Sequence, residues 1–540
     1  MSRLFVLLGQ RFRRDRLQLA LWCVGSGVLA FAAANAALDT FSDLEERRQI
    51  LGVAIASRTI LVFRGTPNGI DDGAFMFFLL FAWLALMGGL LSTFLAVRHT
   101  RAEEEQGRAE FLAATPAGRV LPTVATVAHG MLANVTLGLF VAVAWVLAGL
   151  DIGGSLVAGA ALAATGFAFL AVGLVLAQLF RTSRGANGAG VAIVLAAYLL
   201  RGVGDASGTA SDDLLHVAPA WPSWLSPIGY GQFTGAYVEN DLRPLIALVG
   251  FSGLLIAGVF VLQAIRDQGA SLLPGRHGRA TARWTLSSSF GLVWRLTVPT
   301  LIAWAVGGAA AGLLATTLSS VVGQVGGAAP QLADRLRQAI GDDATIEQAF
   351  IATFFGLVGV LAACCAVQVG MRARQEETHG TAELVLGTPV PRVRWLAEYW
   401  IVGTIVIVAV LAAAGLAGTL GALRTEDPAT LVPNVLEAAV AQLPACLVFL
   451  GLTLFVFAWL PHATIPLGWT LIGLAAIIGV FGPILQLPDW LTDLSPFTHS
   501  PVPGSDDADW TGGIVMLVIG IVVGGAAVGS MRARELAAGG

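Results

Sequence analysis

The sequence predicts an all-α integral membrane protein of about twelve transmembrane helices, arranged as two related six-helix halves. Three observations predict it. Twelve apolar runs reach or approach the roughly 20 residues that a helix needs to cross a bilayer. Charged residues fill only 12% of 540 positions and hydrophobic residues 56%, whereas a soluble domain carries about 25% charged residues. A charged motif recurs at the same place in each half.

The first half covers residues 1–285, with spans expected near 18–37, 74–97, 121–149, 155–179, 187–201 and 244–264. The fifth is short. The second half covers residues 286–540, with spans near 297–317, 349–370, 398–420, 435–459, 463–482 and 511–531. Many of these runs are rich in Gly and Ala, which lets helix backbones approach closely in lipid. Ala34-Asn35-Ala36 resembles a leader-cleavage site, but a similar span opens the second half, which argues for a permanent helix. Ahead of the first span, Leu4, Phe5, Leu7, Leu8 and Phe12 alternate with Arg3, Arg11, Arg13, Arg14 and Arg16, the pattern of an amphipathic helix at the inner interface. Phe290, Trp294 and Arg295 occupy the matching place in the second half.

Orientation follows from arginine. All 31 basic residues are Arg and none is Lys. With the N-terminus in the cytoplasm, 22 of the 31 fall on inner segments, while acidic pairs such as Asp71-Asp72, Asp212-Asp213, Asp342-Asp343 and Asp506-Asp507 fall outside. The excess of positive charge inside predicts that both termini are cytoplasmic. The absence of lysine also removes the G-x-x-x-x-G-K-[ST] phosphate loop, so an ATP site of that kind is not expected in this chain.

The loop after the second span reads RAEEEQGRAEFLAATPAGRV from Arg101, and the loop after the eighth reads RQEETHGTAELVLGTPVPRV from Arg374. A constant offset of 273 pairs Glu103 with Glu376, Glu104 with Glu377, Gly107 with Gly380, Glu110 with Glu383, Thr115 with Thr388, Pro116 with Pro389 and Arg119 with Arg392. The same offset pairs Phe77 with Phe350 and Phe81 with Phe354, and Trp224-Leu225-Ser226-Pro227 is echoed between Trp490 and Pro496. Six spans separate the copies, so both halves run in the same direction. Acidic residues at the loop start favour a helix N-terminus, and each Thr-Pro disfavours further helix. The expectation is a short, charged, stiff element joining two membrane helices.

This loop resembles the first cytoplasmic loop of ABC-2 type permeases, E-x-x-x-G-T-x-E-x-L-x-x-T-P-x-x-R. The second copy carries Glu376, Gly380, Thr381, Glu383, Thr388, Pro389 and Arg392 in register, and the first departs at Arg108, where threonine is usual. The whole chain is similar to the fused permeases described as exporters of polyketide antibiotics, the tetronasin-type group. The resemblance implies two parallel six-helix ABC-2 (type V exporter-like) repeats. It implies two copies of a separate ABC ATPase carrying ATP and Mg, with no cofactor in this chain. The fourteen paired loop residues would couple to that ATPase. It also implies export of lipophilic or amphiphilic drugs or antibiotics from the bacterial plasma (inner) membrane by alternating access. The second and fifth helices of each half would line the path, which nominates Phe77, Phe81, Trp83 and Met87, with Phe350, Phe354 and Phe355 opposite, together with Asn187, Tyr198 and Trp469.

Other segments are expected to be accessory. Ser42-Asp43-Leu44-Glu45 is a capping-box pattern ahead of an apolar run, so residues 38–73, and by position 318–348, are expected to hold small outer helices. Segments 202–243 and 483–510 carry Trp221, Trp224 and Trp490, and tryptophan favours the bilayer interface. His129 lies inside the third span, where an ionisable group is a functional suspect. Glu398 and Glu437 sit near span ends, within reach of water. The four cysteines fall in apolar runs, and neither metal-ligand spacing nor a nucleophile constellation is visible. A proton-coupled drug antiporter of the major facilitator type is the alternative, since it also has six plus six helices. That family carries a basic loop after its second span, where this chain is acidic. Nucleic-acid binding is not expected, because the arginines follow topology.

Overall fold

The computed structural model describes residues 3–115, 118–267, 269–273, 281, 286–325, 346–425, 427–481, 488–501 and 510–534. Among these, twelve helices are long and apolar enough to cross a membrane. The chain divides into two compact units, Met1–His277 and Gly278–Gly540, and six of the twelve helices fall in each.

In the first unit the helices are α1 (Arg3–Thr40), α2 (Leu44–Ala56), α3 (Arg58–Arg64), α4 (Asp72–Arg98), α5 (Arg101–Glu105), α6 (Arg108–Ala113), α7 (Val120–Leu147), α8 (Ile152–Leu179), α9 (Ser183–Ala206), α10 (Pro227–Gln232) and α11 (Arg243–Ile265). Helices α4, α7 and α8 form the core around Phe81, Trp145 and Phe169. Helices α7 and α8 touch backbone to backbone: a Cβ added to Gly138 would lie 2.3 Å from the Gly159 carbonyl oxygen. This is the close approach that small residues permit in lipid, where no hydrophobic drive pushes helices together.

In the second unit they are α12 (Ser289–Val325), α13 (Ile346–Thr378), α14 (Thr381–Leu386), α15 (Arg392–Ala422), α16 (Pro428–Ala441), α17 (Leu443–Trp459), α18 (Thr464–Phe481), α19 (Asp489–Thr492) and α20 (Thr511–Ser530). Glycine again sets the closest contacts. A Cβ on Gly312 would lie 2.1 Å from the Ala414 carbonyl of α15, and one on Gly451 would lie 2.9 Å from the Gly520 carbonyl of α20.

Several boundaries differ from the sequence expectation. The N-terminal arginine-rich segment is not a separate interfacial helix. It continues unbroken into the first span as α1. The segment around Phe290 likewise belongs to α12. The fifth span is not short, because α9 has 24 residues. The tenth is divided into α16 and α17 at Gln442-Leu443-Pro444, where Pro444 lacks the amide that would continue the helical ladder. The cap of α2 is Asp43, whose side chain accepts from Glu45 N at 3.1 Å, rather than Ser42.

Helices α2 and α3 make the expected small helices of the first unit. They are seated by Leu51 and Ala54 on Phe75 and Phe78. Buried Arg47 fastens this layer, donating to Phe41 O at 2.5 Å and pairing with Asp72. Any counterpart within residues 326–345 lies outside the described residues. The Trp-Leu-Ser-Pro echo is real in three dimensions. Ser226 Oγ accepts from Ile228 N at 3.2 Å and Ser495 Oγ from Phe497 N at 3.3 Å, so each serine caps the short helical turn that its proline begins.

Candidate functional site

In the first loop, α4 ends at His99 and two short helices follow. Gly107 joins them at φ 70°, and Gly380 opens α14 at φ 71°. Glycine is required there by backbone alone: an added Cβ would meet nothing within 4 Å at either position, but a left-handed φ strains any residue with a side chain. The two copies differ upstream. Glu103 and Glu104 lie in α5, whereas Glu376 and Glu377 belong to the end of α13, which runs on to Thr378 without a break. The expected acidic helix start therefore holds for the first copy alone.

The side chains repeat as well. Glu104 Oε2 is 2.7 Å from Arg101 Nη1, and its Oε1 is 2.5 Å from Arg266 Nη2, just past α11. Glu377 Oε2 is 3.1 Å from Arg374 Nη1, and both Glu377 oxygens accept from Arg534 Nη2, at 2.7 and 2.8 Å, just past α20. In each unit the second acidic residue of the motif is thus clamped between its own helix and the end of the sixth span. The first acidic residue repeats too. Thr381 Oγ1 donates to Glu376 Oε2 at 2.5 Å, and Arg108, at the equivalent place, donates to Glu103 Oε2 at 2.9 Å. The departure at Arg108 therefore preserves the contact. Glu103 also pairs with Arg14 and Glu376 with Arg372.

Thr115 Oγ1 donates to Leu112 O at 2.6 Å and Thr388 Oγ1 to Val385 O at 2.5 Å, closing α6 and α14 alike. Arg119 O accepts from Gln263 at 2.7 Å, and Arg392 Nη1 donates to Arg534 O at 2.5 Å. Pro389 is exposed, and Pro116 lies outside the described residues. Glu110 and Glu383 project outward, with no ion-pair partner among the described residues. Each is followed by an exposed apolar side chain, Phe111 at 79% and Leu384 at 76%. The loop motif itself does not point to Arg266 or Arg534. The available signal was that each follows the last span of its half.

The nominated path residues divide. Phe81, Tyr198 and Phe355 are buried within their own units, and Tyr198 donates to Phe63 O. These three pack helices rather than face open space. Phe77 stacks on Phe81 with centroids 4.5 Å apart and touches an outer cavity of about 770 Å³, and Phe350 meets Phe354 at 4.9 Å in the repeated arrangement. Trp83, Met87 and Trp469 are exposed, and Asn187 is half-buried with an unpartnered Oδ1. Glu398 does not reach water as expected. It is buried, with Ser289 Oγ at 2.6 Å and Arg394 Nε at 3.1 Å. His129 is buried and faces Asp15, beside His99. This cluster was invisible to spacing in the sequence.

Comparison with known proteins adds identity to geometry. A family model described as the C-terminal domain of the multidrug efflux system permease Rv1217c matches residues 286–532, which hold the second loop. The whole chain is 32% identical over 519 residues to the multidrug efflux system permease protein Rv1217c of Mycobacterium tuberculosis (strain ATCC 25618 / H37Rv), covering 93% of this chain and 89% of that one. Likeness of this extent, running through both loop-bearing halves, places the chain in the family of that multidrug efflux system permease.

Proposed function

We propose that the chain is the membrane-spanning subunit of an ATP-driven exporter that expels lipophilic or amphiphilic drugs and antibiotics across a bacterial plasma membrane. The observation that carries this reading is the matched pair of loop helices. Each starts at a left-handed glycine, presents an outward Glu followed by an exposed apolar residue, and is tied by an Arg–Glu clamp to the end of a span. We read the two exposed apolar side chains, repeated at equivalent places on braced, polar elements, as docking points for a partner. Two such points fit two copies of a separate ABC ATPase, which would bind ATP and Mg. The family relationship and the absence of lysine support the same division of labour.

In this mechanism ATP closes the ATPase pair, and the loop helices move with it. The clamps pass that displacement to the second and sixth spans of each half. Alternating access follows when the cargo path switches from the inner to the outer side. Burying Phe111 and Leu384 contributes about 1.5–3 kcal/mol each. Leu384→Asp should therefore lower ATPase capture at least tenfold. Glu110→Ala and Glu383→Ala should leave assembly intact but uncouple hydrolysis from transport. The test is whether a neighbouring gene encodes an ATPase with a phosphate-loop lysine and whether that ATPase co-purifies with this chain, followed by drug transport into inverted vesicles. Transport by the chain alone, driven by a proton gradient and indifferent to ATP, would overturn the proposal.

A further inference from the structure

Two histidines and an aspartate, distant in sequence, meet inside the first unit. Asp15 comes from α1, His99 caps the end of α4, and His129 lies in α7. All are buried, at 0%, 4% and 0% exposure respectively. Both imidazoles aim at one oxygen: His129 Nε2 is 3.0 Å from Asp15 Oδ2, and His99 Nε2 contacts the same atom. One ligand atom from each of the three residues lies within 4.8 Å of the others. The other carboxylate oxygen, Oδ1, is 3.1 Å from Arg98 Nη2, in an ion pair without hydrogen-bond geometry.

We propose that Asp15, His99 and His129 form a binding site for a divalent transition metal, Zn²⁺ being the best fit. Two imidazole nitrogens and one carboxylate oxygen are a donor set that zinc accepts, at about 2.0–2.2 Å from each. A tetrahedral ion at those distances separates its ligands by about 3.3 Å, so both rings would draw back from Asp15 Oδ2 to admit it. Three protein ligands leave a fourth position for water or an exogenous ligand, the mark of an exchangeable rather than a purely structural site. The ion would enter past His99, which lines a cavity of about 390 Å³ bordered also by Glu103 and by Arg11, Arg14, Arg108 and Arg119. Arg98 holds the non-ligating oxygen, as partners of metal carboxylates do.

Two features set the affinity below that of a closed site. His129 Nδ1 is buried without a hydrogen-bond partner, and such a partner normally improves metal affinity about 10–100-fold. Arg98 and Arg11, the latter bonded to Pro122 O at 2.8 Å, add positive charge nearby. Harder ions that prefer all-oxygen shells, such as Mg²⁺, do not suit the site. The offset of 273 puts Ser288, Arg372 and Val402 at the corresponding places, so the second half lacks the donor set. A bound ion would therefore cross-link α1, α4 and α7 at the base of the first loop only, restraining one arm and leaving the other free.

The test uses the full chain, purified in detergent without a histidine tag and stripped with a chelator. Titration with Zn²⁺ should give about one bound ion per chain by elemental analysis, undiminished by excess Mg²⁺. Co²⁺ should give the intense visible bands of a four-coordinate site. His99→Gln and His129→Gln should each weaken Zn²⁺ binding more than 100-fold and abolish the Co²⁺ bands, and exposed His216→Gln should change neither. If a variant does not fold, titration of the unmodified chain still decides. A stoichiometry indistinguishable from zero, or binding that survives both substitutions, overturns the proposal. Neither result bears on the efflux reading, because metal binding is measured without the ATPase.

Discussion

Replacing Glu377 by alanine removes a carboxylate that is 4% exposed and held from two sides. Arg534 Nη2 reaches both oxygens at 2.7 and 2.8 Å, and Arg374 Nη1 reaches one at 3.1 Å. Arg534 is also packed, with its guanidinium 4.3 Å from the centre of the Phe457 ring. Breaking a buried pair by deleting one partner costs about 3–5 kcal/mol, because the remaining charge is left in a poor solvent. Glu377→Ala strands two arginines, and the Arg534 side chain is only 10% exposed; a loss of about 3 kcal/mol is expected. Arg374 remains when Arg534 alone is removed, so the Glu377–Arg534 coupling in a double-mutant cycle should be about 2 kcal/mol. The control is Glu45–Arg48, at 3.9 Å with side chains 69% and 54% exposed, where coupling should be near zero. Denaturant unfolding of the purified chain in detergent, followed by tryptophan fluorescence, measures both cycles. Equal coupling at the two pairs, or less than about 0.5 kcal/mol at Glu377, would refute the clamp.

Three further outcomes are expected. Gly380→Ala should cost about 1 kcal/mol of stability through its left-handed backbone, and Gly380→Asn distinctly less because Asn tolerates that region better; the same unfolding assay distinguishes them. Gly138→Leu should separate α7 from α8 and destabilise by more than about 2 kcal/mol, since even one Cβ would meet the Gly159 carbonyl at 2.3 Å and overpacking costs about 1–3 kcal/mol. Burial of Tyr237, which bonds Ser155 Oγ at 2.9 Å, raises its phenol pKa above the ordinary value. The folded state therefore keeps a proton that the unfolded state releases, and stability should be level below about pH 10 and fall above it. Tyr237→Phe should remove that part of the fall.

Much of the architecture is legible in the sequence, for a local reason. A span is a property of about twenty consecutive residues, so composition marks α4, α8 or α11 wherever they pack. The duplicated loop was equally legible, because Gly107 and Gly380 answer to backbone angle and the Thr-Pro pairs to helix termination. Ends and breaks were harder. Hydropathy separates the arginine-rich start of α1 from its apolar remainder, yet one helix runs through both, and the division at Pro444 is hidden in an apolar run. Burial was harder still: Phe81 and Trp83 are two residues apart, yet one is 2% and the other 39% exposed, because helix rotation turns them to different sides.

By itself, then, the sequence determined the all-α membrane class, the spans, the duplication and the charged loops, all of which depend on neighbours along the chain. Tertiary structure alone decided what the loop carboxylates hold. Arg266 reaches Glu104 across 162 residues and Arg534 reaches Glu377 across 157. It likewise decided that Asp15, His99 and His129 share one buried point, from three helices whose rotations are set by packing and not by local preference.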